Sequence, residues 1–116
     1  MTDTKINYLE LAANDLSAIK HFYHQVFNWQ FTDYGPDYVA FSGDTVEGGF
    51  YQAQLCSTQA TGGVLIVFYS ADLASIQTKI EQAGGSIVKP IFEFPGGRRF
   101  HFTDPCGNEL AVWSDK

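Results

Sequence analysis

The sequence predicts an α+β fold made of two βαβββ modules, whose strands form a curled mixed sheet around a cleft with the helices outside. Two observations predict it. The order strand, helix, strand, strand, strand occurs twice along the 116 residues, in units of about fifty residues each. In both units an Asp follows the first strand and opens the helix, at Asp15 and at Asp72. We expect a single domain over residues 1–116, with modules at about 5–55 and 64–115.

The first strand of the first module is expected over Ile6–Leu11. Its alternation directs Leu9 and Leu11 toward the helix. Tyr8 and Glu10 therefore lie on the opposite face of the strand.

The helix that follows has residues suited to both of its ends. Asp15 is a good N-cap, an apolar stripe at helical spacing follows it, and Asn28 tolerates the left-handed conformation that ends helices. Three further strands are predicted at Trp29–Asp33, Tyr38–Ser42 and Gly49–Leu55. The small polar stretch Cys56–Gly63 is the expected linker between the modules.

The second module repeats this order. A strand is predicted over Val64–Ser70, and Asp72 caps a helix that Gly84-Gly85 ends. The next strand, Ile87–Phe94, contains Pro90. Because proline cannot donate a hydrogen bond to a neighbouring strand, we expect this one at a sheet edge.

The last two strands form a hairpin within Arg98–Trp113, joined by a turn centred near Pro105-Cys106. That turn pairs Arg99 with Trp113, His101 with Ala111 and Thr103 with Glu109. One face of the hairpin is apolar. The other face carries a mixture unlike a plain solvated surface, which we assign to a site: Arg99, His101, Thr103, Glu109 and Trp113.

Composition excludes several function classes. The net charge is −6 with no basic run, which argues against nucleic acid and anionic membranes as partners. The two cysteines, Cys56 and Cys106, lie far apart, which is typical of free thiols in a reducing compartment and excludes a zinc ribbon. The sequence has no signal-peptide pattern and no apolar run of membrane length, so we expect a soluble, cytoplasmic protein.

Four segments resemble one family in the right order: INYLELAANDL, FYHQVFNWQF, VLIVFYSADL and FHFTDPCGNELAVW. They are similar to the vicinal oxygen chelate superfamily, also called the glyoxalase/bleomycin resistance/dioxygenase family, and above all to stand-alone proteins related to lactoylglutathione lyase. Asn28 stands where the family usually has Gly. The resemblance implies paired βαβββ modules and commonly a homodimer.

The resemblance also indicates where metal-using members place their ligands. Those positions are occupied here by Tyr8, Leu65 and Ala111, with a fourth position near Phe50–Gln52. A divalent metal of this kind needs imidazole nitrogen or carboxylate oxygen, which Leu65 and Ala111 do not offer. We therefore predict no metal at that place and no cofactor.

The preferred hypothesis is a binding protein that holds a small, partly aromatic or apolar organic molecule in the cleft. The residues expected to line the cleft are Tyr8, Leu65, Tyr69, Ala111 and Trp113. Three further residues are expected to orient polar groups of the ligand: Glu10, Arg99 and His101. We expect no nucleic acid or membrane partner. We do expect a homodimer, and whether its two chains exchange modules stays open.

Two alternatives stay open. The chain could be a lyase or isomerase related to glyoxalase I, using a metal at unconventional positions or His101 and Glu109 as an acid–base pair. It could also be an accessory domain with a vestigial cleft. At the level of single residues, Glu109 could instead cap the turn or pair with Arg99, and the Pro95–Arg99 segment could be either a lid with an anion contact or a plain hairpin loop.

Overall fold

The computed structural model describes residues 3–116, so the first two residues of the predicted domain lie outside it. Two βαβββ modules follow one another, which confirms the predicted α+β fold. The first contains β1 (Tyr8–Ala13), α1 (Leu16–Phe27), β2 (Gln30–Asp33), β3 (Tyr38–Ser42) and β4 (Glu47–Gln52). The second contains β5 (Ile66–Tyr69), α2 (Leu73–Gln82), β6 (Ser86–Phe94), β7 (Gly97–Thr103) and β8 (Glu109–Ser114). A short 3₁₀ helix, Gln59–Thr61, lies in the connection.

The strands form two four-stranded mixed sheets with the same internal order, β1-β4-β3-β2 and β5-β8-β7-β6. In each sheet the first strand runs parallel to the last one of its module, and the other pairs are antiparallel. Over the described residues no strand pairing joins the two sheets, so β1 and β5 are edge strands. The predicted curled sheet is therefore divided in two.

Both helices begin at the predicted aspartates. The Asp15 carboxylate accepts a hydrogen bond from Ala18 N (3.1 Å), and Asp72 accepts the equivalent bond from Ser75 N (3.1 Å). Asn28 ends α1 with a φ of 59°, as its tolerance for the left-handed region predicts. Neither helix, of 12 and 10 residues, could span a membrane.

The edges of several strands differ from the prediction because strand pairing decides them. β1 extends to Ala13 and β4 begins at Glu47, since the two strands pair along their full lengths. Around Pro90, β6 shifts its register against β7 between Ile87 and Phe92, and it is the edge strand that the proline predicts.

Helix α1 joins the two modules through aromatic packing. Tyr23 stacks on Trp29 of its own module, with ring centroids 4.6 Å apart. Phe27 stacks on Phe68 of the second module at 4.0 Å. Because α1 also packs against α2, the helices and the inner faces of both sheets share one core.

The turn between β7 and β8 closes the molecule at one end, and we call Asp104–Asn108 the closing turn. The Asp104 carboxylate is buried and accepts hydrogen bonds from Cys106 N (2.8 Å), Asn108 N (3.1 Å) and Tyr23 Oη (2.9 Å). Burial raises the pKa of Asp104 above its ordinary value, against the lowering effect of these bonds. The sequence predicted a turn here but not its burial.

Asn108 links the closing turn to the first module through hydrogen bonds. Its amide Nδ2 donates to Ala12 O (2.9 Å), and its Oδ1 accepts from Ser57 N (2.9 Å) in the linker. The Cys106 thiol donates to Asp15 O at 3.6 Å. Burial raises the pKa of Cys106, so this thiol is not an activated nucleophile.

Candidate functional site

The residues assigned to a site lie on the outward faces, by which we mean the faces of the two sheets turned away from the helices. Their distribution follows from strand alternation. On the first sheet, Tyr8 and Glu10 point outward because Leu11 and Ala13 are buried in the core. On the second sheet, the buried Phe100 and Phe102 leave the outward face to the residues between and beside them.

The first sheet carries a polar group that we call the tyrosine cluster: Tyr8, Glu10 and Tyr38. The hydroxyls of Tyr8 and Tyr38 lie 2.6 Å apart, and Tyr38 Oη donates to Glu10 Oε2 at 2.9 Å. Burial and these two bonds raise the pKa of Tyr38. The Tyr38 side chain crosses β4 directly over Gly49, where a Cβ would collide with its hydroxyl and ring.

The second sheet carries the histidine cluster: His101, Glu109, Arg99, Phe92 and Phe94. His101 is fully buried, and its Nδ1 lies 2.8 Å from Glu109 Oε2. The two residues meet because Thr103 pairs with Glu109 and His101 with Ala111, which makes them diagonal neighbours on one face. Glu109 also accepts from Gln59 N (3.1 Å). The hydrogen bond to His101 is the main cause that lowers the pKa of Glu109.

Two nitrogen atoms in this cluster are buried without a hydrogen-bond partner, His101 Nε2 and Arg99 Nε. The Arg99 guanidinium lies over the rings of Phe92 and Phe94, at 5.4 and 5.6 Å from their centroids. Because the ionised Glu109 only accepts, His101 Nδ1 must carry the proton that faces it. In the neutral ring, His101 Nε2 is then a free acceptor; in the imidazolium it is a free donor.

Two of the single-residue interpretations are corrected by these contacts. Glu109 pairs with His101, not with Arg99, because Arg99 is held against the aromatic rings of β6. The segment before Arg99 is no lid. Gly97 already pairs with Phe94, so a two-residue turn closes the hairpin. In that hairpin, Arg98 Nε donates to Lys116 O (3.2 Å).

Trp113 and Tyr69 extend the histidine cluster toward the sheet edge. Their rings meet edge to face with centroids 5.2 Å apart, and Phe94 lies 6.3 Å from Trp113. Tyr69 Oη donates to Asp115 Oδ1 at 2.6 Å. That bond raises the pKa of Tyr69 and lowers the pKa of Asp115.

The positions where the family resemblance places metal ligands do not fit a metal. The Tyr8 hydroxyl is engaged by Tyr38, and Leu65 and Ala111 have no donor atom. Strand pairing corrects the fourth position from Phe50–Gln52 to Gly49. Glu10 pairs with Gly49 as Val67 pairs with Ala111, so Gly49 corresponds to Ala111. Among residues 3–116, no three His, Cys, Asp or Glu side chains come together as a metal site.

The structure therefore gathers the predicted residues into two groups. Tyr8 and Glu10 join the tyrosine cluster, and no hydrogen bond or ring contact of the described residues links that cluster to the histidine cluster. Leu65 immediately precedes β5 and is half-buried. Ala111 is fully buried beside His101.

Three participants were missed by sequence reasoning: Tyr38, Phe92 and Phe94. Tyr38 could have been found by alternation, since the burial of Val39 and Phe41 puts it on the outward face. The two phenylalanines depend on the register shifts in β6, for which the only signal is Pro90.

Comparison with known proteins agrees with this architecture. The family sequence model described as "Glyoxalase/Bleomycin resistance protein/Dioxygenase superfamily" matches residues 5–112. A protein named "Putative glyoxylase CFP32", from Mycobacterium bovis and Mycobacterium tuberculosis, is 24% identical over 123 residues and 92% of this chain. The chain spans only 44% of the length of that relative.

Solved structures share the fold at lower identity. A glyoxalase-related enzyme from Fulvimarina pelagi superposes with a TM-score of 0.79 at 16% identity, covering 96% of this chain and 88% of that one. A lactoylglutathione lyase from Agrobacterium tumefaciens gives a TM-score of 0.71 at 20% identity, covering 98% and 96%. At these identities the likeness establishes the fold and not the activity.

Proposed function

The chain belongs to the glyoxalase/bleomycin resistance protein/dioxygenase superfamily, and from that premise we propose that it binds a small organic molecule on its outward faces without the metal of the family. The ligand has an aromatic or apolar body and a carboxylate or similar polar group. Arg99 and His101 orient the polar group, while Trp113 and Tyr69 contact the body.

The observation that carries this proposal is the pair of unpartnered nitrogens, Arg99 Nε and His101 Nε2. A buried polar atom without a partner costs about 1–3 kcal/mol of free energy. A ligand atom that bonds to it removes this cost, which strengthens binding. The two residues are separated by one position on β7 and lie on the same face, so one ligand can bond to both nitrogens once the side chains that bury them move aside.

The surroundings of these nitrogens support the same ligand class. Phe92, Phe94 and Trp113 form an aromatic surface around the Arg99 guanidinium. Large apolar side chains remain exposed on the outward faces, Tyr69 at 51% and Tyr8 at 45% of their surface. We propose that a second copy of the chain covers part of this surface, so that the cleft is completed in a homodimer.

The test uses the indole N–H signals of Trp29 and Trp113, the two tryptophans of the chain. Trp113 belongs to the outward face and Trp29 to the core, so one NMR spectrum reports both. Titration with 3-phenylpropionate is expected to shift the Trp113 signal saturably and to leave Trp29 in place. A Trp113 signal that stays unmoved at millimolar probe would reject this ligand class.

Arginine variants sharpen the test. Arg99→Gln removes the proposed anion contact and is expected to weaken 3-phenylpropionate binding about tenfold or more. Arg98→Gln removes the same charge from the neighbouring residue, whose Nε bonds to Lys116 O, and is expected to bind normally. Equal losses in both variants would point to net charge alone and against a built site.

A specific contact favours the enzyme alternative as a second candidate. His101 is held by Glu109 at 2.8 Å, and its buried Nε2 has no partner, so this nitrogen can act as a general base once a substrate reaches it. Such a lyase or isomerase would convert a thiohemiacetal or a similar substrate, with activity lost in Glu109→Gln. Activity abolished by chelator instead would place the chemistry at a metal and overturn the metal-free proposal.

Oligomeric state and metal content complete the tests. Native mass spectrometry of protein purified without added metal, with elemental analysis, is expected to give a metal-free dimer. Stoichiometric nickel, zinc, iron or manganese would contradict our interpretation of Tyr8, Leu65 and Ala111. A metal-free dimer that no probe stabilises would support the vestigial accessory domain.

A further inference from the structure

The two modules are related by sequence order, and aligning their caps Asp15 and Asp72 pairs Ala12 with Tyr69 and Tyr23 with Ile80. By the same alignment, strand pairing makes the loop between β3 and β4, Gly43–Val46, the counterpart of the closing turn. We call it the opposite loop. The closing turn docks on the first module, so the opposite loop would be expected to dock on the second.

It does not dock. Among the described residues, the side-chain bonds of the opposite loop stay within the first module: Trp29 Nε1 donates to Asp44 Oδ2 (3.0 Å), and Thr45 N to Asp44 Oδ1 (2.7 Å). In place of contact there is a cavity of about 590 Å³. It lies between the opposite loop and the end of β5 at Tyr69, on the helix side of the sheets.

The cavity has the size and lining of a ligand site. Ligand pockets in proteins have volumes of about 300–1,000 Å³, apolar walls and few polar groups. Two stacked aromatic pairs contribute to the walls, Trp29 with Phe41 and Phe27 with Phe68, each with centroids 4.0 Å apart. The lining also includes Asp44, whose carboxylate takes part in no ion pair among residues 3–116.

We propose that this helix-side cavity is a second binding site, which shares only Tyr69 with the site proposed on the outward faces, and that it takes a small aromatic amine. The aromatic ring packs against the stacked walls. The ammonium group lies at the mouth, where the Asp44 carboxylate attracts it and the face of an aromatic ring adds a cation–π contact. The protein's net charge of −6 favours a cation over an anion there.

The probe is 2-phenylethylamine, compared with 2-phenylethanol, which has the same ring and no charge. The amine is expected to shift the Trp29 indole signal saturably and to shift the Trp113 signal much less, because Trp113 meets the cavity only through Tyr69. This is the reverse of the pattern proposed for 3-phenylpropionate. Failure of either site is therefore visible without the other. A Trp29 signal unmoved at millimolar amine, or equal shifts at both tryptophans, overturns the proposal.

Two variants test the two halves of the ligand. Asp44→Asn keeps an acceptor for Trp29 Nε1 and removes the charge. It is expected to weaken the amine about fivefold, as suits an exposed carboxylate, and to leave 2-phenylethanol unchanged. Ile76→Phe fills the cavity from α2 and is expected to abolish binding of both probes.

Circular dichroism and the melting temperature establish that Ile76→Phe is folded. If that variant does not fold, the comparison of Asp44→Asn with wild type decides alone. An alcohol that binds as tightly as the amine, or an Asp44→Asn variant with unchanged amine affinity, contradicts the proposed amine specificity.

Discussion

The two ends of this molecule are built from equivalent parts of a repeated module, yet one end is closed and the other is open. At the closed end, Asp104 and Asn108 are buried and bond to Tyr23 and Ala12 of the other module. At the open end, Asp44 of the opposite loop is exposed, and a cavity separates that loop from β5. On our proposal, the repeat uses one copy of the turn for stability and leaves the other copy for binding.

The largest expected effect comes from removing the amide that joins the modules at the closed end. Asn108→Ala leaves Ala12 O and Ser57 N without their partner, and we expect a loss of about 3 kcal/mol in the free energy of unfolding. Urea unfolding measures it. The matched variant at the open end is Asp44→Ala, with an expected loss below about 1 kcal/mol. Similar losses of unfolding free energy in the two variants would contradict the distinction between a closed, stabilising end and an open end.

A smaller effect is expected from Tyr23→Phe, which deletes only the hydroxyl that donates to Asp104. The loss is about 1–2 kcal/mol near neutral pH. The folded-state pKa of Asp104 is already raised, so stability falls as pH rises from the ordinary carboxyl pKa to that folded value. Losing a donor raises this pKa further, so the variant is expected to lose more at pH 7 than at pH 4. Unfolding curves that shift equally at both pH values would count against this role of Tyr23.

The neighbouring carboxylate on β8 has the opposite pH dependence. Bonds from His101 and Gln59 lower the folded-state pKa of Glu109. Its contribution is therefore present above the ordinary carboxyl pKa and is lost as pH falls through the lowered value. We expect Glu109→Gln to cost about 1 kcal/mol at pH 7, and less as the pH drops below about 4. Glu93→Gln, an exposed change on β6, is the control, and a cost independent of pH would contradict the role of the hydrogen bonds to the Glu109 carboxylate.

The smallest effect is expected at the open end itself. Asp44→Asn keeps an oxygen for the Trp29 indole, so the free energy of unfolding is expected to change by less than about 0.5 kcal/mol. Thermal unfolding without ligand checks it. A clearly larger destabilisation would mean that the charge of Asp44 supports the fold, which would weaken its assignment to ligand binding.

Much of the fold was predictable because its signals are local. The aspartate caps, the left-handed Asn28 and the hairpin register around Pro105 each depend on a few adjacent residues and were predicted correctly. The predicted boundaries of β1 and β4 were wrong by a few residues, because partner strands distant in sequence decide where pairing stops.

The candidate site was less predictable. Alternation placed His101 and Arg99 on one face but could not decide which of them Glu109 would bind. That choice depends on the bulged β6, which holds Arg99 over Phe92. Turn residues such as Asp104 and Asn108 carry a local signal that is the same whether the turn is exposed or buried. Their burial follows from the docking of one module on the other, which no local pattern encodes.

The hydrogen bond from Asn108 to Ala12 joins residues 96 positions apart in the sequence, and the bond from Tyr23 to Asp104 joins residues 81 positions apart. During synthesis on the ribosome, the first module emerges with its sheet and helix already complete in sequence. Its Tyr23 hydroxyl and the end of β1 have no partner until the closing turn is synthesised, more than 80 residues later. The nascent first module thus exposes part of its aromatic core until the second module has emerged, and chaperone binding is expected to be strongest in that interval.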